Sequence, residues 1–144
     1  MLEIEKTVDL DRDLYKDAVA IREQVFVNEQ GIPIEKEMKG EDGPCYYVGY
    51  IDGHPVATAR VVKKAGEWLI QRVAVVSEER NKHYGTEMMA QIEQDALAQR
   101  AERLILHAQD DAQSFYTQLG YQVEGDQFKE ADLPHHVIDR KSVV

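Results

Sequence analysis

The chain has 144 residues, with 17 Lys+Arg against 27 Asp+Glu and a formal charge of -10 at pH 7. That length fits one domain able to bury a core without disulfide or metal support, and the acidic balance argues against a nucleic-acid backbone as partner while mildly favouring a cationic one. No apolar run is long enough to span a bilayer, MLEIEKTVDL lacks the core of a signal peptide, and the only cysteine, Cys45, can form no intramolecular disulfide. A soluble, cytoplasmic protein that binds neither membrane nor nucleic acid is expected.

Leu2, Ile4 and Val8 mark a first strand over 2–8. Leu14, Ala18, Ile21 and Val25 recur at helical spacing and predict a helix from about Asp11 to Val27. The pattern then breaks over 28–44, a polar segment with two prolines and three glycines and room for one short helical turn. Segments of this length in a small domain are functional or disordered. Its acidic residues Glu35, Glu37, Glu41 and Asp42 are placed to attract an amine or simply to face solvent. Cys45 follows Gly43-Pro44 at a turn, where a half-buried thiol outranks a nucleophile.

Residues 46–51 and 56–62 flank Asp52-Gly53 and predict a hairpin; 68–75 gives a third antiparallel strand after Ala65-Gly66. A polar loop with Arg80, Lys82, His83 and Gly85 follows, and a helix begins at about Thr86 with Met88, Met89, Ile92, Ala96 and Leu97 on its apolar face. A strand, a basic loop and a helix start can hold an anion, because the first helical N–H groups lack partners and the helix dipole is positive there. The loop has neither the GxxxxGK[ST] pattern nor GxGxxG, so a P-loop and a dinucleotide fingerprint are both excluded. An ordinary strand-to-helix connection remains the plain alternative.

Residues 104–109 form a strand parallel to 68–75 through the intervening helix. Such a pair opens a cleft at its carboxyl ends, where the basic loop also lies. A short helix stopping at Gly120, a strand over 121–124, a turn at Gly125-Asp126 and a last strand at 137–139 complete the chain. His107 reads as a rim or core histidine, and the adjacent His135 and His136 point to opposite faces, which argues against chelation.

Arg80-Asn81-Lys82-His83-Tyr84-Gly85 resembles the R/Q-x-x-G-x-G/A loop of the GNAT superfamily, with His83 in place of the first glycine. Ala112, Phe115, Tyr116, Gly120 and Tyr121 resemble the a-x-x-F-Y-x-x-x-G-F signature of the same superfamily. Phe26-Val27 with Glu29-Gln30-Gly31 is similar to the FVxEQ segment of its ElaA-like and YjcF-like branch, and Leu133-Pro134-His135 to that branch's IPH segment. The ordered set covers residues 20 to 139.

This resemblance implies one α/β domain over 1–144, with a mixed six- or seven-stranded sheet, helices on both faces, and acetyl-CoA between strands four and five. It further implies that the backbone of Val73, Ala74 and Val75 holds the pantetheine arm. The loop Arg80, Asn81, Lys82, His83, Tyr84, Gly85 and Thr86 would hold the pyrophosphate, with Gln109 and Ser114 beside the arm. A Cβ at His83 calls for a negative φ or a displaced loop. Tyr116 matches the tyrosine that protonates the leaving thiolate, and a phenol is suited to that donation. Glu29 and His135 are the candidates for the base that takes the ammonium proton.

The implied reaction is direct acetyl transfer to a primary amine of a small molecule or peptide, without a metal. The acidic balance leans toward a polyamine-like or aminoglycoside-like acceptor. A homodimer through the C-terminal strand is compatible with the family. Two alternatives keep the fold: a non-catalytic acetyl-CoA-binding regulator, and an acyl-homoserine-lactone-synthase-like enzyme, suggested by the R-x-x-V-F run Arg22 to Phe26.

Overall fold

The computed structural model describes residues 2–38, 40–130 and 133–141. One seven-stranded sheet is built from β1 (Glu3–Thr7), β2 (Cys45–Ile51), β3 (His54–Lys64), β4 (Glu67–Val75), β5 (Arg103–Gln109), β6 (Gln122–Glu130) and β7 (Leu133–Lys141), in the order β1-β2-β3-β4-β5-β7-β6. The helices are α1 (Asp13–Arg22), α2 (Ile34–Glu37), α3 (Tyr84–Ala98) and α4 (Gln113–Gln118). Only β4 and β5 run parallel; every other neighbouring pair is antiparallel. No helix among the described residues is long and apolar enough to cross a membrane.

The core sits on both faces of the central strands. Every residue from Cys45 to Val48 and from Val56 to Val61 is buried, and side chains alternate across a strand, so both faces are covered; α1 and α3 both pack on β3. Met88, Met89, Ile92 and Ala96 are the buried stripe of α3. Leu97, expected on that stripe, is 47% exposed because it falls outside the 88-92-96 row. Asp52 and Gly53 take φ of 49° and 80°, the pair of positive values that a two-residue hairpin turn requires.

The boundaries differ from the sequence reading in three places. Helix one starts at Asp13 and continues past Arg22 as seven π-helical residues, Glu23–Glu29, ending two residues beyond the expected Val27. In that wider spiral Gln30 N–H donates to Val25 C=O at 3.1 Å, an i to i−5 bond. Helix α3 begins at Tyr84, two residues before Thr86. Gly125-Asp126 is not a hairpin turn: β6 runs through it with a register shift between Glu124 and Phe128, and β7 starts at Leu133, not Val137. The β6–β7 connection at 131–132 lies outside the described residues.

Candidate active site

Strands β4 and β5 separate partway along their length. Their ladder runs from Glu67↔Arg103 to Ile70↔Leu106 and stops there, although β4 continues to Val75 and β5 to Gln109. The cause lies on the other edge of β4. Register with β3 is Arg60↔Gln71 and then Thr58↔Ala74, so Ala59 faces both Arg72 and Val73, a bulge with Arg72 at φ 55°. A bulge bends its strand and increases the local twist, which carries the end of β4 away from β5. Val76 N–H donates to Val56 C=O on the β3 side; by alternation the backbone groups of Val73 and Val75 face the opening.

The loop to α3 closes one end of this opening. Ser77–Glu79 form a 3-10 turn, Asn81 and His83 both adopt left-handed conformations with φ near 65°, and His83 caps α3. His83 therefore takes the conformation a glycine would take there, not the negative φ its Cβ calls for. Asn and His tolerate that region better than most side chains, at a cost of about 1 kcal/mol. Glu87 N–H makes the first intrahelical bond, to His83 C=O, so the N–H groups of Tyr84, Gly85 and Thr86 have no helical acceptor. Gly85 itself has no positive φ. A Cβ built there would lie 3.2 Å from Phe115 Cζ and 3.9 Å from Val75 Cγ2, so its role is close approach to Phe115.

One cleft of about 1160 Å³ runs from this loop through the splay. Val73, Ala74, Val75, Arg80, Asn81, His83, Gly85, Thr86, Gln109, Tyr116 and His135 all line it. Lys82, Tyr84, Ser114 and Glu29 do not. Lys82 is exposed and paired with Glu79 at 2.8 Å, Tyr84 packs on the core, and Ser114 faces solvent. Glu29 accepts both terminal nitrogens of Arg80, from NH2 at 2.8 Å, while Arg80 Nε donates to Val75 C=O at 3.0 Å. The hydrogen bond from Arg80 holds the Glu29 carboxyl below its ordinary range, which makes it a weaker proton acceptor than an isolated glutamate.

Tyr116 is buried at 7% exposure between Phe115 and Tyr121, whose rings meet it edge-on. Its hydroxyl has no hydrogen-bond partner among the described residues, and burial raises its pKa well above that of a free phenol. His135, opposite Gln109 in the β5–β7 register, is 6% exposed. Its Nδ1 lies 2.7 Å from Leu133 C=O, which accepts only if Nδ1 carries the proton; in the neutral ring Nε2 then bears the lone pair. Glu130 Oε2 lies 3.7 Å from that Nε2, and Glu130 Oε1 lies 3.4 Å from His107 Nδ1. His136 turns instead to Asp110 at 2.7 Å. Gln109 donates to Gln30 Oε1 at 2.8 Å, joining β5 to the end of the π-helical segment.

The acidic segment behaves differently from its sequence reading. Glu37 and Glu41 turn inward: fully buried Arg22 donates from Nε to Glu37 Oε1 at 2.8 Å and from NH1 to Glu41 Oε1 at 2.6 Å. Arg60 and Tyr15 also donate to Glu41, and Arg60 also grips Gln71 Oε1 at 2.9 and 2.6 Å. Burial pushes Glu41 up in pKa, but the hydrogen bond and charge of Arg22, with Tyr15 and Arg60, more than reverse it and leave the carboxyl below its ordinary range. Only Glu35 and Asp42 of the run remain exposed. Arg60, Arg72 and Glu130 line the cleft and were not candidates in the sequence; two polar residues, Gln71-Arg72, interrupting the apolar run of β4 were the available signal.

Comparison with known proteins agrees with this geometry. The profile of the Acetyltransferase (GNAT) family matches residues 9–121. The chain is 34% identical over 122 residues to the uncharacterized N-acetyltransferase YjcF of Bacillus subtilis (strain 168), covering 83% of this chain and 87% of that one. An acyl-CoA N-acyltransferase structure from Pseudomonas aeruginosa superposes with a TM-score of 0.85 at 25% identity, over 97% of this chain and 99% of the other. Escherichia coli ElaA superposes with a TM-score of 0.81 at 24% identity, over 98% and 100%. The chain is an acyltransferase and belongs to the acetyltransferase (GNAT) family, with YjcF among its relatives.

Proposed function

We propose that the protein transfers an acetyl group from acetyl-CoA directly to a primary amine of a small molecule or peptide. The observation that carries this reading is that one cleft joins the stretch Val73–Val75, where β4 has no ladder to β5, with the partnerless N–H groups at the start of α3, the hydroxyl of Tyr116 and the imidazole of His135. Acetyl-CoA would supply an activated thioester carbonyl and a thiolate leaving group. The chain has to bind it, polarise it and move two protons.

The fit of such a donor rests on three features. The ends of β4 and β5 lack ladder partners for each other, so an extended pantetheine arm can pair with the backbone of Val73 and with Val75 N–H, the Val75 carbonyl already accepting from Arg80 Nε. The helix start at Tyr84–Thr86 offers N–H groups to a pyrophosphate, and Arg80 adds a guanidinium once it exchanges Glu29 for phosphate oxygens. Gly85 keeps Phe115 close to the loop, where a side chain would push it away.

His135 is favoured over Glu29 as the base. With Nδ1–H held by Leu133 C=O, Nε2 can take the ammonium proton, and the Glu130 carboxylate lies 3.7 Å from that nitrogen. Tyr116 then donates to the leaving thiolate. Burial keeps it a phenol across the physiological range, and its proton is committed to no other acceptor among the described residues. The R-x-x-V-F run that suggests a lactone synthase has a structural account in the burial of Arg22 by Glu37 and Glu41.

The test is thiol release from acetyl-CoA against a panel of primary amines, in wild type, His135→Gln and Glu29→Gln. The reading expects turnover that falls by about 10²-fold in His135→Gln and by less than about tenfold in Glu29→Gln. The reverse order would give the base role to Glu29.

A further inference from the structure

Arg72 is a cation that the fold leaves incompletely used. It sits on the bulge of β4, lines the cleft, and is held in a left-handed conformation that most side chains avoid. Its Nε is buried without a hydrogen-bond acceptor. Glu37 Oε2 lies 3.1 Å away, within ion-pair distance but misaligned for that N–H. Glu37 cannot turn further, because its other oxygen and its backbone carbonyl are both bonded by Arg22.

The other arginines at this site are occupied. Arg60 is shared between Glu41 and Gln71, and Arg80 between Glu29 and Val75 C=O. The terminal nitrogens of Arg72 have no acceptor among the described residues. A guanidinium offering donors in a fixed fork, in a partly dry site, selects a planar oxyanion. Glu130, with His135 and His107 beside it, lines the same cleft and is near enough for its charge and that of Arg72 to act on each other. This part of the cleft therefore offers a guanidinium and a carboxylate side by side, the pair of charges that a zwitterion complements.

We propose that the acceptor is an amino-carboxylate, whose carboxylate is held by the terminal nitrogens of Arg72 while its amino group lies against His135 and Glu130. This rests on the acetyltransferase reading above and replaces the polyamine-like acceptor that the overall charge suggested. A polyamine would bring a second cation to Arg72, which already has two arginines near it.

The test compares each α-amino acid with its own carboxamide, which has the same size and amine but no carboxylate. Thiol release from acetyl-CoA is measured for both in wild type, Arg72→Gln and Arg72→Lys, and the thermal shift caused by acetyl-CoA is recorded for each protein. The expected result is at least about a tenfold preference for the carboxylate in kcat/KM, the scale of one charge-assisted contact. Arg72→Gln should abolish it through KM, Arg72→Lys should retain part of it, and the acetyl-CoA shift should be unchanged in both. Carboxamides used as well as the carboxylates, an equal loss for both in Arg72→Gln, or an intact acetyl-CoA shift with no amino acid consumed would each overturn the proposal. Absence of any acetyl-CoA shift in wild type would overturn the acetyltransferase reading, and the acceptor assignment with it.

Discussion

Arg80, which lines the cleft, and Glu29, which does not, form a forked ion pair, one from the loop before α3 and the other from the end of the π-helical segment. Both side chains are 38% exposed, so the pair itself is worth little, of order 0–1 kcal/mol. Its consequence is competition: any anion that uses Arg80 must displace a carboxylate. Glu29→Gln is therefore expected to tighten acetyl-CoA binding by about two- to fivefold, read by calorimetric titration. Weaker binding in Glu29→Gln would mean that the carboxylate positions Arg80 instead of competing for it.

The contact between Gly85 and Phe115 sets the second expectation. Gly85→Val should overpack this junction, costing about 1–3 kcal/mol in stability and weakening acetyl-CoA binding. Adding Phe115→Ala should restore part of both, because it removes the atom 3.2 Å from the new Cβ. Strictly additive losses in the double variant would show that the two positions act separately.

For Tyr116 the two readouts should diverge. Its hydroxyl opens on the cleft and has no partner among the described residues, so Tyr116→Phe should leave urea stability within about 0.5 kcal/mol of wild type. Turnover should fall by about 10²-fold with acetyl-CoA affinity unaltered. A stability loss with turnover intact would make Tyr116 a packing residue.

What the sequence revealed follows local rules. The hairpin at Asp52-Gly53, the apolar row of α3 and the parallel β4–β5 pair are carried by short-range periodicity and turn chemistry, and the structure has all three. The cleft could be located from the chain order alone, because a strand, loop and helix in a parallel unit open at the carboxyl end. Charged groups were not legible in this way. Glu37 and Glu41 read as a face that attracts an amine or simply meets solvent, since nothing local shows that Arg22, fifteen and nineteen residues earlier, is buried beneath them. The turn at Gly125-Asp126 became part of β6 because pairing with β7 across a register shift overrode the local turn signal. His83 took the glycine conformation because the loop geometry is set by both the strand end and the helix start.

That buried network predicts the response to acid. Arg22→Ala would leave Glu37 and Glu41 without their main partner and should cost about 3–5 kcal/mol. Glu41 has a folded pKa below its unfolded value, so its contribution is present above the ordinary carboxylate pKa of about 4.3 and is lost as the pH falls below it toward the lowered value. Asp95, whose burial is outweighed by Lys6, Tyr47 and Gln91, acts in the same direction. Urea midpoints should thus be flat from neutral pH to about 5 and drop below it, with a shallower drop in Glu41→Gln. An unchanged drop in that variant would place the acid-sensitive group elsewhere.

The thermal transition of the purified protein with increasing acetyl-CoA tests the central claim most directly. A ligand that binds only the folded state adds about 2.7 kcal/mol at one hundred times its dissociation constant. The account predicts a saturable rise in Tm that is lost in Gly85→Val and reduced in Arg80→Ala. No rise at millimolar acetyl-CoA would contradict it, since the splay of β4 and β5 and the start of α3 would then hold no donor.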